Sequence, residues 1–255
     1  MTIHVRVVTP HTTPRPHKLA GLRSLQQRFT QLTLSQAGID AGPSSIEGSF
    51  DEALAVPGVI ASCLQAQADG VDCVVIDCMG DPGLEAAREA VAIPVLGSCE
   101  TTLHVAATLG HKFGVVTILD RVRPLLERRA QIYGVDRKLA CVRSVNVPVL
   151  QIGEDTDRLS DALLEQSRAA IERDHADTIV LGCTGFIGLS ERLSAALSEA
   201  GLHAPVLDPL RTAVSTGVSL VALGISHSQL AYPRANFAKR IHGFPMIVEK
   251  LSESR

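Results

Sequence analysis

The chain has 255 residues and a formal charge of −3 at neutral pH, with 45% hydrophobic and 20% charged residues. This composition is typical of a folded globular protein and excludes collagen, coiled coil and intrinsic disorder. The slightly acidic balance and the 3% of aromatic residues argue against a nucleic-acid partner, which needs cations for phosphates and rings for stacking. No apolar run approaches the ~20 residues of a membrane span and no signal peptide is visible, so we expect a cytoplasmic protein with no membrane partner.

Short β-branched runs alternate with amphipathic stretches along the chain. The predicted strands are 3–9, 71–76, 95–96, 113–118, 178–181 and 206–207, and the predicted helices include 84–91, 122–133, 157–173 and 190–200. Such alternation predicts an α/β fold of mainly parallel sheets flanked by helices. Ligands bind such sheets beyond the carboxyl ends of the strands, so the residues directly after each strand are the candidates for a functional site.

The most informative feature is an internal repeat. Residues 69–84, DGVDCVVIDCMGDPGL, align with residues 174–189, DHADTIVLGCTGFIGL, and each segment has the order strand, cysteine, glycine turn, helix. The chain is therefore predicted to form two pseudo-symmetric α/β domains with an active site in the cleft between them. The first is expected to comprise 1–97 plus the C-terminal tail 208–255, and the second 98–207.

The repeat places Cys78 and Cys183 at equivalent strand ends, from which we expect them to reach one ligand from opposite sides. Each cysteine is followed by a turn with a glycine, Gly80 or Gly185, whose small size lets backbone N–H groups approach a ligand oxygen. A helix N-terminus nearby favours the thiolate. One thiolate can remove a proton from a carbon while the other thiol returns a proton to the opposite face, so the pair predicts inversion of a stereocentre with no cofactor.

The other cysteines and the histidines carry weaker signals. Cys63, Cys73 and Cys141 are interpreted as small core residues, and Cys99 either joins them or borders the cleft. Asp81 either enters the cleft or caps the helix that follows it. The nine histidines form no metal-ligand spacing and no glycine-rich nucleotide motif occurs, so we predict neither a metal nor a nucleotide cofactor.

Glu100 and His104 lie four residues apart on one face of the helix expected after Ser98. We interpret them as a structural pair, with a catalytic role as the alternative.

Several segments together resemble a known family. VVIDCMGDPGLEAAREAVAIPVLG around Cys78, LGHKFGVVTILDR around Thr117 and TIVLGCTGF around Cys183 are similar to the aspartate/glutamate/hydantoin racemase superfamily, most of all to its hydantoin racemase branch. With RVVTPHTT and GPSSIE, the resemblance covers about residues 5–210. It implies a cofactor-independent racemase with two pseudo-symmetric domains, in which Cys78 and Cys183 invert the acidic C–H stereocentre of a 5-substituted hydantoin or related compound.

The resemblance also implies substrate contacts and an assembly. A homo-oligomer acting on a small-molecule substrate is expected. The implied substrate-binding residues are Pro10, Pro43, Ser44, Gly80, Asp81, Thr117, Ile118, Thr184 and Gly185.

The chain departs from the family's patterns beside the expected pocket. It has T-P-H-T where hydantoin racemases typically have N-P-N-T, and S-C-E where many have G-E-A, which leaves hydantoins, allantoin and free amino acids open as substrates. The acidic amino-acid racemases typically carry C-N-T and C-T-E, whereas C-M-G and C-T-G here lack polar groups for a second carboxylate. Apolar Met79, Phe186 and Ile187 favour a neutral ring or an apolar side chain.

Other functions remain open at this point. An amino-acid racemase or a maleate-type cis-trans isomerase of the same superfamily uses the same two thiols. An arylmalonate-type decarboxylase needs only the second cysteine, so the presence of both argues against it. A non-catalytic ligand sensor would keep the cleft and lose the chemistry.

Overall fold

The computed structural model describes residues 2–13, 17–154, 156–237, 239 and 241–247. The strands in this part of the chain are β1 Ile3–Val8, β2 Leu32–Ala37, β3 Cys73–Ile76, β4 Val95–Gly97, β5 Phe113–Thr117, β6 Leu139–Ser144, β7 Thr178–Leu181 and β8 Val206–Leu207. The helices are α1 His17–Gly21, α2 Arg23–Arg28, α3 Ser49–Ala68, α4 Leu84–Ala90, α5 Ser98–Leu109, α6 Arg123–Ile132, α7 Thr156–Glu172, α8 Ser190–Glu199 and α9 Pro209–Ala222.

The strands form two sheets of the same topology. Each sheet has four strands, in the orders β2-β1-β3-β4 and β6-β5-β7-β8, and all neighbouring strands are parallel. Because strands one to four and five to eight occupy corresponding places, the internal repeat in the sequence is matched by a repeat in topology. The predicted α/β fold of two related halves, each a parallel sheet flanked by helices, is confirmed.

Contacts divide the chain into two compact units. Unit 1 comprises Met1–Ile46, Phe50–Gly97 and Ala213–Arg255, and unit 2 comprises Glu47–Ser49 and Ser98–Thr212. Each unit contains one of the two sheets, so each provides its own set of strand ends at which ligand contacts can form.

The central strands are buried on both faces. Every residue of β3 (CVVI), β5 (FGVVT) and β7 (TIVL) is buried, as expected for strands of a parallel sheet covered by helices. In the core of unit 1, residues of α3 and α4 pack against β3 and β4. The edge strands β2 and β6 are mostly half-buried instead.

Among the helices that the structure describes, none has the length and apolar character needed to cross a bilayer.

Candidate functional site

The first candidate thiol lies in a tight turn after β3. Cys78 is half-buried, and its Sγ accepts a hydrogen bond from the backbone N–H of Gly80 with an N···S distance of 3.3 Å. The Asp81 N–H donates to the Cys78 carbonyl at 3.2 Å, which closes the turn ahead of α4. Gly83 precedes that helix with φ = 75°, a left-handed conformation that glycine adopts without strain.

The second candidate thiol lies in a matching turn after β7. Cys183 is also half-buried, and its Sγ accepts from the Gly185 N–H at the same distance, 3.3 Å. The Phe186 N–H donates to the Cys183 carbonyl at 3.1 Å, forming a single 3₁₀ turn. An alanine Cβ at position 182 would lie 2.9 Å from Thr117 Cα, so the strand end before the thiol needs a glycine. Each unit thus offers one thiol and backbone N–H donors at a strand end.

A buried ion pair supports the turn of Cys78. Lys18 Nζ lies 2.7 Å from Asp77 Oδ1, and the Thr9 hydroxyl donates to Asp77 Oδ2 at 2.9 Å. Gln36 Nε2 donates in turn to Thr9 Oγ1 at 3.0 Å. These bonds connect α1, β2 and the end of β1 to the residue directly before Cys78, so they fix the strand end from which the thiol projects. Sequence reasoning missed Lys18 and Asp77, because nothing in the sequence pairs two residues so far apart.

The predicted contact residues of unit 1 fall in neighbouring loops. The Thr12 N–H donates to the Pro43 carbonyl at 2.9 Å and the Thr13 hydroxyl donates to the Ser44 carbonyl at 2.7 Å, which ties the loop after β1 to the loop after β2. Pro10, in the first of these loops, is buried, whereas Ser44 is exposed.

Asp81 is almost entirely buried and has a positive φ of 46°. Its carboxylate packs against Gly97 at the end of β4, where an alanine Cβ would collide with it. The N-cap position of α4 belongs to Gly83, and Asp81 contributes its backbone carbonyl, which accepts from the Leu84 N–H at 3.2 Å.

The predicted contact residues of unit 2 lie at the ends of two adjacent strands, with Thr117 and Ile118 at the end of β5, and Thr184 and Gly185 directly after Cys183. The Thr117 hydroxyl donates to the Gly182 carbonyl at 3.0 Å, so β5 and the strand end before the thiol are held together. Thr117, Ile118 and Thr184 are buried. The predicted site residues therefore divide into two groups, one in the same unit as each thiol.

Two side chains that sequence reasoning missed adjoin the glycines of the turns. The carboxylate of Glu52, in the first turn of α3, lies where a side chain at Gly80 would have to be. Ile152 occupies the corresponding place at Gly185. Glu52 belongs to the helix that follows the second strand of its sheet, and Ile152 to the loop that follows the second strand of its own sheet. The sequence gives no signal for either residue, because the repeat does not extend to these segments.

The remaining cysteines are chemically unlike the two in the turns. Burial raises the pKa of the Cys63 thiol and of the Cys73 thiol to about 12. Burial, and after it a hydrogen bond with Asp174, raises the pKa of Cys141 to about 12 as well. Cys99 has no solvent exposure in the first turn of α5.

The apolar residues expected to face a ligand are mostly covered. Phe186 has no exposed surface and Met79 only 4%, so of the three only Ile187 remains half-buried. His104 is exposed, and its Nδ1 lies 2.8 Å from the carbonyl oxygen of Glu100, one helical turn earlier. Within the described ranges, no group of three or more His, Cys, Asp or Glu side chains is arranged to hold a metal ion.

Comparison with known proteins gives consistent results. The family model described as Asp/Glu/Hydantoin racemase matches residues 9–217. The hydantoin racemase of Rhizobium meliloti is 36% identical over 92% of this chain and 97% of its own length. The solved structure of allantoin racemase from Klebsiella pneumoniae superposes with a TM-score of 0.85 at 29% identity, covering 96% of this chain and 99% of that one. Allantoin racemase from Pseudomonas fluorescens gives a TM-score of 0.82 at 30% identity, covering 94% and 100%.

The family match, the relatives and the repeated thiol turns cover the same part of the molecule. The chain belongs to the Asp/Glu/hydantoin racemase family.

Proposed function

We propose that this protein is a cofactor-independent racemase that inverts the acidic C–H stereocentre of a 5-substituted hydantoin or a closely related compound, with Cys78 and Cys183 as its two bases. Family membership makes the protein an isomerase of the racemase type. The two-cysteine mechanism and the substrate are the proposed part.

One observation carries the proposal. Each half of the molecule presents a half-buried thiol two residues after a central strand, and in each case the glycine N–H two residues further on donates to sulfur at 3.3 Å. An N–H that points at sulfur stabilises a thiolate, which is the form that removes protons. The other cysteines lack these conditions because they are buried or have raised pKa values.

The proposed reaction exchanges two protons. The thiolate of one cysteine takes the hydrogen at C5 as a proton, and the electron pair of that C–H bond moves onto the adjacent carbonyl oxygen to give an enolate. Backbone N–H groups of the glycine turns stabilise the enolate oxygen. The thiol of the other cysteine then gives its proton to C5 from the opposite face, and the two sulfurs end with their protonation states exchanged. The mechanism requires one sulfur on each face of C5.

The relatives favour a hydantoin ring as the substrate. The curated relatives at 34–36% identity are hydantoin racemases, and the two similar solved structures are allantoin racemases. Allantoin is itself a hydantoin with a ureido group at C5, so both kinds of relative act on the same ring. The C5 proton of this neutral ring is more acidic than the α-proton of an amino acid, whose carboxylate opposes a second negative charge.

A direct test uses a small substrate panel. The purified protein is mixed with pure enantiomers of 5-methyl-, 5-isobutyl- and 5-benzylhydantoin, allantoin and free amino acids in deuterated buffer, and optical rotation and deuterium uptake at the stereocentre are followed together. We expect both signals with hydantoins. If the protein racemises free amino acids but no hydantoin, the proposed substrate class is wrong and the protein is an amino-acid racemase.

Mass spectrometry during turnover separates the remaining alternatives. A cis-trans isomerase that uses a cysteine as nucleophile forms a covalent adduct with its substrate, whereas a proton-transfer racemase forms none. A ligand sensor would bind a hydantoin without exchanging its C5 proton, and Cys78→Ala would then leave binding unchanged.

The assembly and location are part of the proposal as well. We propose a cytoplasmic homo-oligomer acting on a small molecule. Light scattering coupled to size-exclusion chromatography tests the assembly, and a single-chain mass of about 27 kDa would contradict it.

A further inference from the structure

The segment that follows β6 is fastened to predicted site residues of unit 2. The Val145 N–H donates to the Thr117 carbonyl at 2.9 Å and the Val147 N–H donates to the Ile118 carbonyl at 3.0 Å. The segment therefore extends the parallel pairing of β5 and β6 past the carboxyl ends of these strands, the edge at which ligands bind in such sheets.

Further bonds fix the end of this segment. The Val149 N–H donates to Glu47 Oε1 at 2.9 Å, and a short 3₁₀ turn follows from Val149 to Gln151. The Ile152 N–H donates back to the Val149 carbonyl at 3.3 Å. Because hydrogen bonds hold the backbone from Val145 to Ile152, the point from which the Ile152 side chain projects is set by the fold.

Ile152 lies beside the thiol of Cys183. An alanine Cβ at position 185 would be 2.8 Å from Ile152 Cδ1 and 3.2 Å from Cys183 Sγ. Since both distances start from the same point, the methyl group and the sulfur are no more than about 6 Å apart, so one small group can contact both. Ile152 is half-buried and thus retains surface with which to do so.

The corresponding place in unit 1 has the opposite chemistry. There the Glu52 carboxylate lies against Gly80, beside the turn of Cys78. An aliphatic side chain at this place is therefore not a requirement of the repeated scaffold, since the scaffold also accepts a carboxylate. We therefore look for the role of the isoleucine in the surroundings of Cys183 and not in the scaffold.

We propose that Ile152 contacts the substituent on C5 of the substrate and thereby makes the enzyme select apolar substituents by size. This inference rests on the proposed function. A sulfur that removes or donates the C5 proton lies close to the two other groups on that carbon, the ring and the substituent. The ring bears amide N–H and C=O groups, which would lose their hydrogen bonds against an aliphatic wall. The substituent is therefore the group that packs on Ile152.

The test compares kcat/KM for 5-benzylhydantoin with kcat/KM for 5-methylhydantoin. In Ile152→Ala the loss of three carbons makes room for the larger substituent, so the benzyl-to-methyl ratio should rise about 10-fold, and Ile152→Phe should lower it by a similar factor. Leu150→Ala is the matched control, because Leu150 belongs to the same segment, is 49% exposed and should leave the ratio within about twofold.

A milder pair of variants covers the case in which Ala or Phe prevents folding. Ile152→Val and Ile152→Thr have similar shapes but differ in polarity, so the threonine variant should raise kcat/KM for allantoin relative to 5-isobutylhydantoin when compared with the valine variant. Parallel losses for all substrates, or an unchanged ratio in an active protein, would overturn the role of Ile152 alone. A wild-type protein inactive on every hydantoin would instead refute the proposed function.

Discussion

Lys18 and Asp77 form an ion pair that is withdrawn from solvent, with 4% of the lysine side chain and none of the aspartate side chain exposed. The pair lies directly before Cys78 in the strand end that carries the first candidate thiol. Two charges in such surroundings depend on each other, because either one alone would be left buried without a counter-charge.

We therefore predict that Lys18→Met lowers the free energy of unfolding by about 3–5 kcal/mol. The measurement is urea denaturation followed by circular dichroism. Lys18→Met combined with Asp77→Leu should recover a large part of this loss, since no charge then remains buried. Arg123→Ala is the control: its pair with Asp120 is exposed on both sides and should contribute less than about 1 kcal/mol. Equal losses of unfolding free energy in Lys18→Met and Arg123→Ala would show that the buried pair contributes no more to stability than the exposed pair.

The six cysteines should differ in the rate at which iodoacetamide modifies them. At pH 7.5, iodoacetamide should modify Cys78 or Cys183 first, because both are half-buried and accept a backbone N–H. Cys63 and Cys73 should react far more slowly, because burial raises their pKa values to about 12. Peptide mapping after partial labelling, with and without a hydantoin, gives the order and the protection by substrate. Labelling of Cys73 ahead of both turn cysteines would contradict the site assignment.

Each enantiomer of the substrate should depend on a different cysteine for its deprotonation. In Cys78→Ser, one enantiomer should lose exchange of its C5 hydrogen with deuterated solvent while the other still exchanges, and Cys183→Ser should show the mirror preference. The reason is that serine holds its proton too tightly to serve as the base but leaves the opposite face unchanged.

NMR on each pure enantiomer measures this exchange. Racemisation should fall in both variants by about 10² to 10⁴-fold, the usual contribution of a general acid or base. Cys141→Ser, outside both turns, is the control and should keep full exchange of both enantiomers. Loss of the same enantiomer's exchange in both variants would mean that a single base serves the two faces.

Removal of metal ions should leave the activity unchanged. The proposed reaction moves protons between carbon and sulfur and assigns no step to a metal or to pyridoxal phosphate. Dialysis against EDTA followed by assay with and without added zinc tests this expectation. Activity that EDTA abolishes and zinc restores would require a different mechanism.

The Arg143–Asp174 pair should make stability depend on pH in the acid range. Hydrogen bonding to Arg143 holds the pKa of Asp174 below its usual value despite partial burial. The resulting stabilisation is fully present above the unfolded pKa of about 3.9 and is lost as the pH falls through the lower folded value. Asp174→Asn should thus be destabilising at pH 7, and the difference from the wild type should shrink below about pH 4. Denaturation curves of both proteins at pH 7 and below about pH 4 measure this difference in unfolding free energy. A difference that does not change with pH would contradict a stabilising role of the Asp174 carboxylate.

The sequence predicts the four central strands and the short edge strands β4 and β8, but not the edge strands β2 and β6. The strands β3, β5 and β7 are short, mostly apolar runs that are buried on both faces. In β1 (IHVRVV) the half-buried His4 and Arg6 alternate with buried apolar residues, and the run is still recognisable as a strand from its β-branched residues. The edge strands β2 and β6 carry no clear strand signal, since LTLSQA and LACVRS mix polar and apolar residues as half-buried strands do. The helix α3 was also missed. It continues through Pro57 and Gly58, which usually end helices, and Gly58 is needed because any larger residue would collide with Ile39.

The candidate thiols can be predicted from the sequence, whereas the residues around them cannot. Cysteine is rare in the chain, so its recurrence in two aligned segments is visible in the sequence alone. Lys18, Glu52 and Ile152 come from segments outside the aligned windows, and only folding brings them to the turns. These contacts depend on the path that the chain takes between strands and helices, and no periodic pattern in a single sequence reports that path.

The difference between Glu52 and Ile152 also bears on how such a protein can diversify. A symmetric dimer of identical half-length chains could not have glutamate at one turn and isoleucine at the other, because every substitution would appear in both copies. Joining two halves in one polypeptide removes that constraint, so mutations can alter the neighbourhood of one sulfur while the other keeps its own. A fused repeat can thus place a carboxylate beside one turn and an aliphatic side chain beside the other, a combination that a symmetric dimer of identical chains could not have.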